Sequence, residues 1–328
     1  MRKRFSALAG SALACTLAAS ALFALPGCSK DTSASQGEDG IGLTNIQPAA
    51  NGGDFRSPFD ATPDPKGENV YFTALTVEGV PAIFKASAKG GPVTILHQGA
   101  PLAAPFGITI SEDGQTLFVA DGSAELGEGD DLPEDGAIFT LSIAGGSPRA
   151  LSGTEGTSPR GVEVRGDALY FTGKKAGQAS VFKTPLVGGA PTALVAGAPL
   201  REPSGIAITA SGDVYVVDAF ADDTVRAGVF KVAGGKAELV KDGFDVGHPA
   251  GLALIGDDKA LLVSGLDPVK RTDVVYRVEL ADKSQKEFSA VIGEFTESAG
   301  LHKAKGSDVY AWADSRANAT GTVYVLTK

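Results

Sequence analysis

Residues 203–217 read Pro203-Ser204-Gly205-Ile206-Ala207-Ile208-Thr209-Ala210-Ser211-Gly212-Asp213-Val214-Tyr215-Val216-Val217. A Pro-x-Gly start leads into apolar residues, a polar glycine turn follows, and a β-branched and aromatic tetrad ends the stretch. This is the composition of two short strands joined by a turn. The start recurs at Pro105-Phe106-Gly107, Pro159-Arg160-Gly161 and Pro249-Ala250-Gly251, with degenerate copies at Pro58-Phe59-Asp60 and Ser298-Ala299-Gly300. The tetrad recurs as Val70–Thr73, Leu117–Ala120, Leu169–Thr172, Leu261–Ser264 and Val309–Trp312. Positions 60 and 300 lie five intervals apart, a period near 48.

Each copy continues alike. A third strand carries an aromatic at one register, Phe84, Phe139, Phe182, Phe230, Tyr276 and Tyr324. In four copies it runs into a glycine pair beginning at Gly90, Gly145, Gly188 or Gly234, where a tight hairpin needs positive φ. A fourth apolar stretch, such as Val93–Leu96 or Thr192–Val195, completes the unit. Four strands per repeat, a period in the forties and six copies predict an all-β, six-bladed β-propeller of four-stranded antiparallel blades. The sixth copy stops at Lys328, after its third strand, while residues 42–47 form an orphan strand ahead of the first copy. The reading is therefore a propeller over 42–328, its ring closed by strand 42–47 completing the last blade.

The 328 residues include 43 glycines, and 43% hydrophobic against 21% charged residues provide for a buried core. A formal charge of −10 argues against nucleic acid as a partner, because phosphate binding needs clustered Lys and Arg. The chain opens on Arg2, Lys3 and Arg4, followed from Phe5 to Leu25 by a run without a charge, the pattern of a secretory signal. The run ends in Leu25-Pro26-Gly27-Cys28, which resembles the lipobox of bacterial lipoproteins. That resemblance implies removal of residues 1–27, lipidation of Cys28, and a flexible tether over 28–41 with a span of roughly 20 Å. Cleavage would remove three basic residues and no acid, moving the formal charge from −10 to −13. It would also remove Cys15, leaving no partner for a disulfide and no Cys-ligated zinc. With serine at position 29, lipoprotein sorting implies the outer membrane, on its periplasmic or outer face.

The Pro-x-Gly start followed by a turn and Val-Tyr-Val resembles six-bladed propellers of the NHL-repeat, TolB-like and gluconolactonase superfamily. Such folds host both hydrolases and non-catalytic binding modules, so the site must decide. The gluconolactonase resemblance implies a divalent metal, usually calcium, held at the channel mouth by Glu, Asn and Asp. The four asparagines are Asn45, Asn51, Asn69 and Asn318, none on an expected inner strand. Two residues past the glycine register stand Thr62, Thr109, Glu163, Ala207, Ala253 and His302, a set poor in oxygen ligands for calcium's usual six to eight. No cofactor is expected, and calcium is kept only for the hydrolase alternative.

Six residues are candidates for ligand binding at the channel mouth: Asp121, Glu163, Asp218, His248, His302 and Asp314. His248 and His302 fall near strand starts, where they could join Glu163 or simply be hydrogen-bonded structural histidines. Asp121 and Asp218 end second strands of alternate blades, with Asp314 one register away in the sixth. Three acids there could hold a cation or a basic ligand, or each could cap its own turn. The loop from Asp121 to Asp135 holds seven acids without a calcium-loop spacing and reads as a solvated insertion. No nucleophile elbow, phosphate loop or zinc-protease motif is present, and Ser180-x-x-Lys183 lies on a strand where positions three apart face opposite sides. The expectation is a monomeric, lipid-anchored envelope propeller that binds an envelope protein, peptide or glycan without catalysis. The competing expectation is a calcium-dependent lactonase or esterase-type hydrolase.

Overall fold

The structure is a computed structural model that describes residues 42–124, 126, 136–221, 226–292 and 298–328, with only the backbone described for 288–292 and 298. Among these residues the strands are β1 (Asn45–Asn51) and then, in blade one, β2 (Phe55–Pro63), β3 (Asn69–Thr76), β4 (Pro81–Ser87) and β5 (Thr94–Gln98). Blade two holds β6 (Pro105–Ile110), β7 (Thr116–Asp121), β8 (Ala137–Ser142) and β9 (Arg149–Ala150). Blade three holds β10 (Val162–Arg165), β11 (Ala168–Lys175), β12 (Gln178–Pro185) and β13 (Thr192–Ala196). Blade four holds β14 (Pro203–Ile208), β15 (Val214–Asp218), β16 (Ala227–Ala233) and β17 (Lys236–Phe244). Blade five holds β18 (Leu252–Ile255), β19 (Ala260–Asp267), β20 (Thr272–Glu279) and β21 (Gln285–Ile292), and β22 (Ser298–Lys303), β23 (Val309–Asp314) and β24 (Thr322–Thr327) follow.

Every sheet is antiparallel and four-stranded. Five run in simple chain order, and the sixth runs β1-β24-β23-β22. The first strand of the propeller thus forms the outer strand of the last blade, paired from Asn45 with Thr327 to Asn51 with Thr322. It starts three residues later than the orphan strand read from the sequence and runs four residues further. Gly42 has a φ of +78°, which ends extended backbone on that side, and a bulge between Pro48 and Ala50 carries the strand past the proline. The inner strands β2, β6, β10, β14, β18 and β22 touch one another in that cyclic order, β22 returning to β2, so the ring is closed.

The core sits between blades. One cluster joins Phe72 and Phe84 of blade one to Ala311 and Val325 of blade six, and another joins Trp312 and Tyr324 of blade six to Leu262 and Val275 of blade five. The remaining neighbours are joined in the same manner. The register aromatics of the third strand stand opposite the tetrad, Phe84 against Phe72 and Phe182 against Phe171, with ring centroids 5.1 and 4.9 Å apart. Burying each such side chain contributes about 1.5–3 kcal/mol, so a blade is stable only with a neighbour on each face. The glycine pairs adopt positive φ as the hairpins require, for example +86° and +128° at Gly90 and Gly91.

The repeat glycine has a different reason. Gly107, Gly161, Gly205 and Gly251 lack positive φ, yet a β-carbon on any of them would collide with backbone of the next blade. At Gly161 it would stand 1.8 Å from the carbonyl oxygen of Ser204. This residue is therefore small because adjacent inner strands approach closely at the ring's centre, not because a turn is made there.

Candidate channel site

Blade one breaks that rule, because Asp60 occupies the glycine register. Its side chain leaves β2 toward the centre of the ring and is almost fully buried. Its Oδ1 accepts the backbone N–H of Ala61 at 2.8 Å, and its Oδ2 accepts that of Ile108, on the inner strand of blade two, at 2.9 Å. The same Oδ2 lies 2.9 Å from Nε2 of His302, on the inner strand of blade six. The opposite ring nitrogen, Nδ1, lies 2.9 Å from Oε2 of Glu163 on the inner strand of blade three, the blade facing blade six across the ring. Lys305, two residues past the end of β22, puts its ammonium on Oε1 of Glu163 and donates to the carbonyl oxygen of Val164 at 3.0 Å.

Asp60, His302, Glu163 and Lys305 thus form one chain across the channel. Each ring nitrogen of His302 faces a carboxylate oxygen, so whichever nitrogen carries a proton donates it to an acid. Burial holds the Lys305 ammonium down to about 7, against the opposing pull of Glu112.

Of the residues predicted from sequence, the structure brings together Glu163 and His302. His248 is exposed, with its ring 5.4 Å from that of Phe220, and is not a member of this chain. Asp121 accepts the backbone N–H groups of Ala103 and Ala104 at 2.8 and 2.9 Å, tying the start of its own blade. Burial pushes its carboxyl up from the ordinary range while those donors pull it down. Asp218 holds the N–H groups of Arg201 and Glu202 in the same way, and Asp314 those of Arg316 and Ala317. These three acids each serve a separate blade. Cys28 and the acids Glu125, Glu128, Asp130, Asp131, Glu134 and Asp135 lie outside the described residues. Sequence reasoning passed over Asp60 and Lys305. The signal for Asp60 was present, as a carboxylate where every other copy has glycine, whereas nothing local marks Lys305.

The sequence matches no family pattern and no curated protein. Among solved structures, a gluconolactonase from Xanthomonas campestris superposes with a TM-score of 0.59 at 14% identity, covering 86% of this chain and 89% of that one. A TolB-like protein from Agrobacterium tumefaciens gives 0.57 at 16% identity, with 82% and 90% covered. The nidogen/laminin complex gives 0.55 at 22% identity, with 71% and 80% covered. The likeness is one of fold. Both the TolB-like and the gluconolactonase-like resemblances expected from the repeat are present at that level.

A calcium centre does not fit this channel. Both oxygens of Glu163 and both of Asp60 are engaged by protein donors, and an ammonium stands against Glu163. At the remaining positions of that register Ala207 and Ala253 offer no side-chain oxygen, which leaves the buried hydroxyls of Thr62 and Thr109, neither of which has a hydrogen-bond partner among the described residues. Two neutral oxygens fall far short of calcium's six to eight ligands. No helix among the described residues is long and apolar enough to cross a membrane.

Proposed function

We propose that the protein is a lipid-anchored propeller of a bacterial cell envelope that binds an envelope protein, peptide or glycan without catalysing a reaction on it. The observation that supports this most is the hydrogen bonding of His302. A general base needs one free ring nitrogen to take a proton, and both nitrogens of this histidine already face carboxylates. The chain's signal-like start and Cys28 support the anchor, with serine at 29 favouring the outer membrane.

The test is a thermal melt of metal-stripped protein with and without calcium, beside an assay of aldonolactone hydrolysis. A ligand at a hundred times its Kd adds about 2.7 kcal/mol to the folded state, which moves the midpoint by several degrees. The expected result is no shift and no turnover. A calcium shift accompanied by hydrolysis would overturn the binding reading. Cys28→Ala is expected to move the protein from the membrane fraction to the soluble one, and its retention in membranes would overturn the anchor.

A further inference from the structure

A cavity of about 130 Å³ opens at the channel end where the inner strands of blades three to six finish. Its floor is apolar, made by Ala207, Leu252, Ala253 and Leu254, all buried. Its rim gathers Arg165, Lys303 and Lys305, a local inversion in a chain whose formal charge is −10. The acids lining the cavity beside them are Glu163 and Asp258, and Glu112, which accepts the backbone N–H of Gly166 at 2.7 Å, also acts on Lys305. Glu163 is held by His302 and Lys305, Asp258 accepts the backbone N–H of Ala210, and Lys303 pairs with Asp308 at 3.0 Å. Arg165 is exposed and has no ion pair or side-chain hydrogen bond among the described residues.

We propose that this cavity binds a carboxylate carrying a short apolar group, the guanidinium of Arg165 gripping the carboxylate and the apolar group resting on Leu252, Ala253 and Leu254. A planar guanidinium matches a carboxylate through two parallel hydrogen bonds, and Lys305 supplies a further donor beside it. Burial holds that lysine near the point of losing its proton, so a neighbouring anion gains by keeping it charged. Glu163 and Asp258 in the same wall accept a monoanion more readily than a dianion, which selects carboxylate over phosphate. The volume suits a small acyl group or one side chain, below the size of a drug-like ligand pocket.

The assignment rests on the binding reading in that it names what the channel end holds. The carboxylate has two sources, a free acid or the C-terminus of a peptide, and the experiment separates them. The full-length protein in detergent is titrated calorimetrically with acetyl-Ala-Ala-Leu, with the same peptide as its C-terminal amide, and with 4-methylpentanoate, and each mixture is also melted. The acid peptide is expected to bind at least tenfold more tightly than the amide. Arg165→Ala is expected to remove at least tenfold, with Arg165→Lys between it and the native protein. Because Arg165 is exposed, both variants should fold, which an unchanged melting midpoint without ligand verifies. Free acid binding as well as peptide identifies a small metabolite, and peptide alone identifies a chain end. Equal binding of acid and amide, affinity unchanged by Arg165→Ala, or no binding of either carboxylate overturns the assignment. Lactone turnover in the same samples would instead overturn the non-catalytic reading and leave an Arg165-dependent carboxylate site standing.

Discussion

Oδ1 of Asp60 lies 1.8 Å from the place a β-carbon on residue 300 would occupy, so the carboxylate of blade one exists in the channel because blade six has glycine there. The two residues are 240 positions apart and fit only as a pair. Gly300→Ala should cost about 1–3 kcal/mol, the usual range for forcing an extra methyl group into a packed core. In an Asp60→Gly background the same alanine should cost clearly less, because the atom it strikes is gone. Urea unfolding of the four proteins gives the coupling directly, and additive costs would refute the pairing.

The repeat glycine makes a prediction of its own. Gly161→Ala places a methyl group 1.8 Å from the Ser204 carbonyl and should destabilise by about 1–3 kcal/mol. Gly53 has open space around it and no positive φ, so Gly53→Ala should stay within about 0.5 kcal/mol of the native protein. If both changes are harmless, the inner strands are further apart than the structure places them.

Closure by β1 can be tested at Ala50, which is buried and packs with Phe55 and Val323 at the seam between the ends of the chain. Ala50→Asp would put an unpaired carboxylate there at a cost of about 3 kcal/mol or more. The expected outcome is a large fall in the urea midpoint with a single transition retained. A change at Asn45, which is exposed on the same strand, serves as the control and should be near neutral.

Lys305 sets a pH dependence whose sign is fixed by linkage. Its ammonium is held down to about 7 in the folded protein by burial, and an unfolded lysine titrates near 10.4. Between those values the unfolded chain binds the extra proton, so this residue's contribution to stability rises with pH, by at most about 1.4 kcal/mol per unit. Lys305→Met should flatten the rise in urea stability between pH 7 and pH 9 relative to the native protein. An identical slope in both would show that Glu163 keeps the lysine fully charged throughout.

How much of this was legible follows from where the information lies. The tetrads, the register aromatics and the glycine pairs are local patterns, and each appears in the structure as the strand or hairpin it predicts. Strand 42–47 was displaced to Asn45–Asn51 because hydropathy marks the presence of a strand better than the bulge at Pro48 that lets it continue. Glu163 and His302 were legible as neighbours because one register position recurs around the ring. Asp121, Asp218 and Asp314 also share a register, yet each turns back to cap its own blade, since backbone N–H groups lie within reach of a strand-end aspartate and the other acids do not.

By itself the sequence determined the number of blades, the order of strands within each, and the need for an outer strand from the N-terminal side, because six repeats of one supersecondary unit can bury their faces only against one another. The tertiary structure alone decided that Asp60 reaches His302, that His302 reaches Glu163 on the facing blade, and that Lys305 completes the chain. Those contacts depend on the width of the closed ring. Residues 60 and 302 are brought together by the summed twist of six sheets, which no local pattern encodes.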